Sequence, residues 1–311
     1  MKHSDTRSLT TCAAAVLAAF LCVTSAACGT SDEAKSESSS SASTSSFDAS
    51  KIAKDDEIAA MVPEAYAKDG KLIVGMDTTY APAEFLNEDG KTPVGYDVDL
   101  VKAMAAVMGL EAEPTTSKFD LIIPSVGDKY DIGVSSFTVS PERMEAVDFV
   151  TYYKAGSLWV TRKGNPDKVD TADLCGLTVA VQTGTTQEEE VTEMNKQCVA
   201  DGKKEMEVLS SAQQTDVTTN VATGKAVAFF ADSPVGEYAI AQTGDVLEPL
   251  GENEGVAVQG VVVKKGDEAM DKAVQAAIQK LMDDGTYEEI LTTWGVKSGA
   301  IDKSEINPKT N

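Results

Sequence analysis

Five short apolar runs separated by longer amphipathic stretches constrain this chain more than any other feature. KLIVGM (71–76), YDIGVSS (130–136), LTVAV (177–181), AVAFFA (226–231) and GVVVK (260–264) are bounded by glycine or charge, which marks buried strands. The segments between them carry a 3.6-residue period. In VDLVKAMAAVMG, Leu100, Val101, Met104, Val107 and Met108 share one face, and Gly109 supplies the stop. EAMDKAVQAAIQKLMDDG is the clearest helix: Met270, Ala273, Val274, Ala277, Ile278, Leu281 and Met282 follow the i, i+3, i+4 rule before Gly285. YEEILTTWG repeats the device with Tyr287, Ile290, Leu291 and Trp294. Such alternation predicts an α/β architecture with mainly parallel sheets. Roughly 240 ordered residues are enough to divide into two lobes around a cleft, although composition does not place the boundary.

The N-terminus reads differently. Lys2, His3 and Arg7 precede a 12-residue apolar run, Cys12 to Val23, followed by SAAC ending at Cys28. A bilayer span needs roughly 20 apolar residues, so this is a secretory signal, residues 1–27. Cys28 after Ala26 and Ala27 resembles a bacterial lipobox, in which that cysteine is acylated; Ser25 stands where Leu or Val is usual. Residues 28–55 are then an acylated cysteine followed by a serine-rich tether, too polar to bury a core. About 27 such residues span roughly 30 Å as a flexible coil.

Charge and histidine narrow the function. The 311 residues carry a formal charge of -23, which repels a phosphate backbone, so nucleic acid is not an expected partner. The only histidine, His3, leaves with the signal. A mature chain without imidazole has no Ser-His-Asp or Cys-His pair and no histidine-ligated zinc. No metal-ligand cluster is visible and no cofactor is expected. Of five cysteines, Cys12 and Cys22 also leave, and Cys175 and Cys198 remain as an even pair. In an oxidising compartment they form one disulfide, closing a loop of about 24 residues. Two free thiols are the alternative.

GMDTTYAPAEF, VGYDVDL, FDLIIPSVGDKYD, SSFTVSPERMEAVDF, VAVQTGTTQE, FFADSP and DDGTYEEILTTWG, in this order from about Gly70 to Trp294, resemble the extracellular solute-binding proteins of ABC importers for polar amino acids. The Gram-positive lipoprotein versions are most similar, including a DLCG block with a later cysteine, as at Cys175 and Cys198. The resemblance implies a two-lobe, periplasmic-binding-protein-like (type II) fold with mixed, mainly parallel sheets and a two-strand hinge. Lobe 1 would comprise residues 70–157 plus 255–311 and lobe 2 residues 158–254, with SLWVTRK as the first crossing. It also implies a monomer held outside the cytoplasmic membrane by a lipid anchor, with a permease and its ATPase as partners.

The same resemblance assigns a ligand site. An amino-acid zwitterion loses two solvation shells on burial and needs both replaced. Arg143, with Thr138, offers its carboxylate a bidentate fork. Gly184, Thr185 and Thr186 open a helix after LTVAV, and the unpaired amides of such a terminus favour anions. Asp232, at the carboxyl end of AVAFFA, with Ser136 beside it, takes the ammonium. Asp77, Tyr80, Ser135, Phe137 and Gln187 complete the side-chain pocket. Many relatives read Tyr-x-Pro-Phe-Glu-Phe where this chain has Tyr80-Ala81-Pro82-Ala83-Glu84-Phe85, so a platform for the ligand's methylenes is missing at Ala83. Taken alone, SPER is an ordinary helix start, Asp77 a turn residue, and Glu188 to Glu190 a solvated first turn. The implied function is capture of a polar L-amino acid, basic or amide type, for import rather than an enzymatic activity. The alternatives are the input domain of a sensor and a dehydratase-like enzyme on the same fold.

Overall fold

The computed structural model describes residues 47–310. The signal segment, Cys28 and most of the tether therefore lie outside the described residues. Residues 47–55, assigned to the tether by composition, are instead packed. Asp48 caps a short 3-10 turn through Ser50 N, Phe47 and Ile52 sit against the core, and Asp55 N bonds Val107 O at 3.0 Å. Two isolated apolar side chains in a polar stretch suffice to dock it.

Eleven strands follow: β1 Lys71–Met76, β2 Thr79–Tyr80, β3 Glu84–Leu86, β4 Pro93–Val94, β5 Glu111–Thr116, β6 Ile132–Gly133, β7 Val147–Arg162, β8 Thr178–Gln182, β9 Glu207–Ser211, β10 Ala228–Asp232 and β11 Leu247–Lys264. The helices are α1 Asp56–Ala59, α2 Glu64–Ala67, α3 Tyr96–Val107, α4 Pro141–Ala146, α5 Thr186–Ala200, α6 Gln214–Ala222, α7 Ser233–Thr243, α8 Glu268–Asp283 and α9 Thr286–Thr293. β2, β3 and β4 form a small antiparallel sheet. The other eight strands are joined in the order β5-β1-β6-β11-β7-β10-β8-β9, parallel at both ends and antiparallel in the middle.

The middle is made by β7 and β11, which are long enough to serve both ends of the sheet. The C-terminal end of β11 pairs with β6, while Ser157 to Thr161 of β7 pair with β10. The β7–β11 register slips between Leu250 and Glu254 and again between Glu254 and Ala257. SLWVTRK thus lies on the strand that runs from one parallel group to the other. The architecture is α/β, as the alternation predicts, with a sheet that is both parallel and antiparallel because β7 and β11 run against their neighbours; these long central strands replace the short 260–264 run expected from GVVVK alone.

The first group is covered by α3, α8 and α9, which pack on one another. Met270, Ala273, Val274, Ala277, Ile278 and Leu281 of α8 are fully buried, and Asp267 caps the helix by accepting from Met270 N. Around the second group, Trp159 and Phe230 stack with ring centroids 4.2 Å apart, beside Val179, Val181 and Val191. The Cys175–Cys198 disulfide ties the segment before β8 to α5.

The strand expected over 130–136 is only two residues long. Ser135 and Ser136 leave the ladder because their polar groups turn to buried carboxyls, and Ser136 takes a positive φ of 49°.

Candidate functional site

Arg143 owes its position to the SPER sequence. Ser140 caps α4 by accepting from Arg143 N at 3.2 Å, and Pro141 supplies the first helical φ. The guanidinium then points back toward the chain that precedes the helix. Nη1 donates to Thr138 O at 3.1 Å and Nη2 to Gly184 O at 3.0 Å, so one arginine links the two strand groups. Its carbon lies 5.5 Å from the Phe119 ring centroid and 6.0 Å from that of Phe137. Burial weakens its hold on the proton, opposed by the charges of Glu189 and Asp232. Among the described residues it forms no ion pair with a carboxylate.

Opposite stands the start of α5. Thr185 caps it, its hydroxyl accepting from Glu188 N at 3.1 Å and donating to Gln182 O at 2.8 Å. Glu188 reaches back to accept from Gly184 N at 2.7 Å and also takes the Ser210 hydroxyl, so it is a capping carboxylate rather than a merely solvated one. First-turn N–H groups such as those of Thr186 and Gln187 have no intrahelical partner.

Asp232 ends β10 and is buried. Its two oxygens accept from Gln187 Nε2 at 2.8 Å and Gln259 Nε2 at 2.7 Å, and its amide donates to the Tyr80 hydroxyl at 3.3 Å. Burial pushes its carboxyl up to about 6, against the pull of those hydrogen bonds and of Arg143.

Tyr80, Phe119, Ser136, Thr138, Arg143, Thr185, Thr186, Gln187 and Asp232 together line a narrow cavity of about 10 Å³, room for no more than about one water molecule. Eight of these are residues expected from the sequence, and Phe119 is an addition. Gly184 joins through its carbonyl on Arg143. Asp77, Ser135 and Phe137 stand behind the wall. Asp77 is saturated, accepting from Thr79 N, Thr79 Oγ1, Phe119 N and Gln182 Nε2, the last at 2.7 Å. Ser135 is held between Asp77 N and Glu84, and Phe137 stacks on Phe119 with centroids 4.8 Å apart. The Ser136 hydroxyl, expected beside the ammonium, donates to Asp97 at 3.3 Å.

Three further polar residues escaped sequence reasoning. Gln182 closes the buried run TVAVQ, Gln259 interrupts the apolar half of β11, and Ser157 accepts from Gln187 at 2.8 Å. An amide in an otherwise apolar, buried strand is the signal that marks the first two. Gln182 Oε1 and Gln259 Oε1 are buried without a donor.

One cation and one anion in a single small cavity, each with capacity left for a partner of opposite sign, complement a zwitterion. Similar proteins bind such molecules. The arginine-binding protein ArgT of Corynebacterium glutamicum is 39% identical over 253 residues, 81% of this chain and 83% of its own length. The L-cystine-binding protein TcyJ of Escherichia coli is 31% identical over 228 residues, covering 72% and 82%. The structure of an ancestral arginine-binding protein bound to arginine superposes with a TM-score of 0.67 at 30% identity, over 72% of this chain and 98% of that one. No helix among the described residues is long and apolar enough to cross a membrane, and no group of side chains among them is arranged to hold a metal. With residues 72–297 matching the family's profile, the chain belongs to the bacterial extracellular solute-binding proteins, family 3.

Proposed function

We propose that this chain captures a polar amino acid, with arginine the first candidate, between two lobes and delivers it to an ABC permease and its ATPase. The observation that carries the reading is Arg143: a half-buried guanidinium with only carbonyl partners, facing a helix start across a cavity that also holds the Asp232 carboxylate. With the lobes parted and Arg143 released from Gly184 O, a ligand carboxylate takes its place between the Arg143 fork and the amides of Thr185 and Thr186, and the ammonium lies against Asp232. Each charge-assisted contact contributes roughly 1.5 to 3 kcal/mol, so three or four give micromolar affinity, about -8 kcal/mol.

A basic or amide side chain is favoured by Asp77. Gln182 already presents an amide donor to it, and a guanidinium or ammonium entering from the cavity replaces that donor with a stronger one. The lobes are residues 70–157 plus 255–311 and residues 158–254, with β7 and β11 as the hinge. Lipidation at Cys28 keeps the captured ligand near the permease.

Thermal unfolding of the chain with each of the twenty amino acids, ornithine and cystine tests the reading. Millimolar ligand over a micromolar site adds about 4 kcal/mol, a shift of several degrees. The expected result is a shift with one or two polar amino acids that is absent in Arg143→Ala. A folded sample that responds to none of them contradicts the proposal.

A further inference from the structure

Behind the wall of the cavity two carboxyl groups are buried together. Glu84 of β3 and Asp97 in the first turn of α3 are both 0% exposed. Glu84 Oε1 accepts from Ser135 Oγ at 2.6 Å, and that hydroxyl in turn accepts from Asp77 N at 3.0 Å. Asp97 Oδ2 accepts from Ser136 N at 3.1 Å, Ser136 Oγ at 3.3 Å and Tyr152 OH at 2.7 Å. The remaining oxygens, Glu84 Oε2 and Asp97 Oδ1, have no donor. The two carboxyl groups are brought side by side by the backbone, Asp97 N donating to Ala83 O at 3.0 Å next to Glu84, and by the adjacent Ser135 and Ser136, which bond one carboxyl each.

Two ionised carboxylates have no hydrogen to place in that contact, and they repel strongly where water is excluded. A single proton between them satisfies both orphaned oxygens. Asp97, with three donors on one oxygen, is the member suited to stay anionic; Glu84, with one, is suited to carry the proton. Burial, then the Asp97 charge, drives the Glu84 carboxyl well above the usual range. The other titratable groups facing the pair are Asp77 after β1, Tyr80 of β2, Tyr96 of α3, and Tyr152 and Tyr153 of β7. None of these is a cation that would compensate a second negative charge.

The pair also holds a strained residue. Ser136 has a left-handed φ of 49°, which a side chain other than glycine seldom adopts, and Asp97 fixes both its amide and its hydroxyl. We propose that Glu84 and Asp97 share one proton and together act as the positioning pair for Ser135 and Ser136, the segment behind and within the wall of the amino-acid site. The binding half of this inference rests on the amino-acid reading above; the proton half does not.

Unfolding of the full-length chain without ligand tests the proton. Wild type must keep a proton on Glu84 to fold, whereas the unfolded glutamate ionises near its ordinary value of about 4.3. Stability from this group is therefore present at low pH and lost as the pH rises toward the folded value. Glu84→Gln has no proton to keep. Its folding constant relative to wild type should climb about tenfold per pH unit, roughly a hundredfold between pH 5 and 7. In an Asp97→Asn background the climb should flatten, because the asparagine amide supplies the missing hydrogen. For the positioning role, arginine titrated calorimetrically should bind Glu84→Ala at least tenfold more weakly than wild type, with Glu84→Gln recovering most of the loss. Parallel pH curves for wild type and Glu84→Gln overturn the shared proton, and wild-type affinity in a folded Glu84→Ala overturns the positioning role. If wild type itself binds no amino acid, the functional reading fails, while the unfolding series still decides the pair.

Discussion

Asp232 is the residue on which the ammonium end of the proposed ligand depends, and its surroundings set the pH at which it can act. Its carboxyl is raised from 3.8 to about 6, mainly by burial. Only the ionised form attracts an ammonium, while the ligand's own carboxylate remains charged well below pH 5. Affinity should therefore hold above pH 6 and fall as the pH drops, approaching tenfold per unit below that point; calorimetric titrations at pH 7.5, 6.0 and 5.0 check this. An unchanged dissociation constant at pH 5.0 would remove Asp232 from the ammonium site. The sequence places Arg143 at a capped helix start and Asp232 at a strand's carboxyl end, where both stand; their proposed roles come from the family resemblance, since SPER alone is an ordinary helix start. Asp77 was only half legible. Its position after β1 is readable, but its saturation by Gln182 depends on an approach between residues 105 apart. Phe119, Gln182 and Gln259 carry no charge to draw attention, and only tertiary packing shows what they touch.

At the level of elements, the start of α5 is where local rules and closure meet. Gly184 has φ +81°, and a β-carbon there would lie 2.9 Å from Asp120 Cβ on the opposite strand group. Its amide and carbonyl are both used, by Glu188 and Arg143. Gly184→Ala combines a left-handed alanine, a cost of about 1–2 kcal/mol, with a contact that keeps the two groups apart. Ligand affinity should fall at least tenfold while the protein remains folded, measurable by titration alongside a circular-dichroism melt. Wild-type affinity in this variant would mean the turn does not take part in closure. The helix itself was readable from GTTQE. The premature end of β6 was not, since the groups that pull Ser135 and Ser136 out of the ladder come from β3 and α3. The docking of residues 47–55 was equally hidden, because Phe47 and Ile52 sit among serines, aspartates and lysines and show no period.

For the molecule as a whole, the central strands explain how one ligand can be held from two sides. β7 and β11 run through both parallel groups, so the groups are joined by backbone and also meet through contacts such as Arg143 on Gly184 O, Gln182 on Asp77, Gln214 N on Thr79 Oγ1 and Asp232 N on the Tyr80 hydroxyl. The register slips of β11 near Glu254 lie where a bend between the groups costs least in paired hydrogen bonds. The α/β class and the helices follow from period and strand length, whereas the crossing at SLWVTRK is given only by the family resemblance. Which charges meet does not follow from period or length, because it is decided where the two groups converge. In this account the ligand's carboxylate supplies the contact that draws them together, so binding depends on that group more than on the side chain. The most direct measurement compares calorimetric titrations of the preferred amino acid and of the amine left when its carboxyl is removed, for arginine the amine agmatine. The account predicts that the amine binds at least a hundredfold more weakly, from loss of the charge-assisted bonds to Arg143 and the α5 amides. Equal affinity for the two would contradict it, leaving Arg143 as a strut between strand groups and not the ligand's anchor.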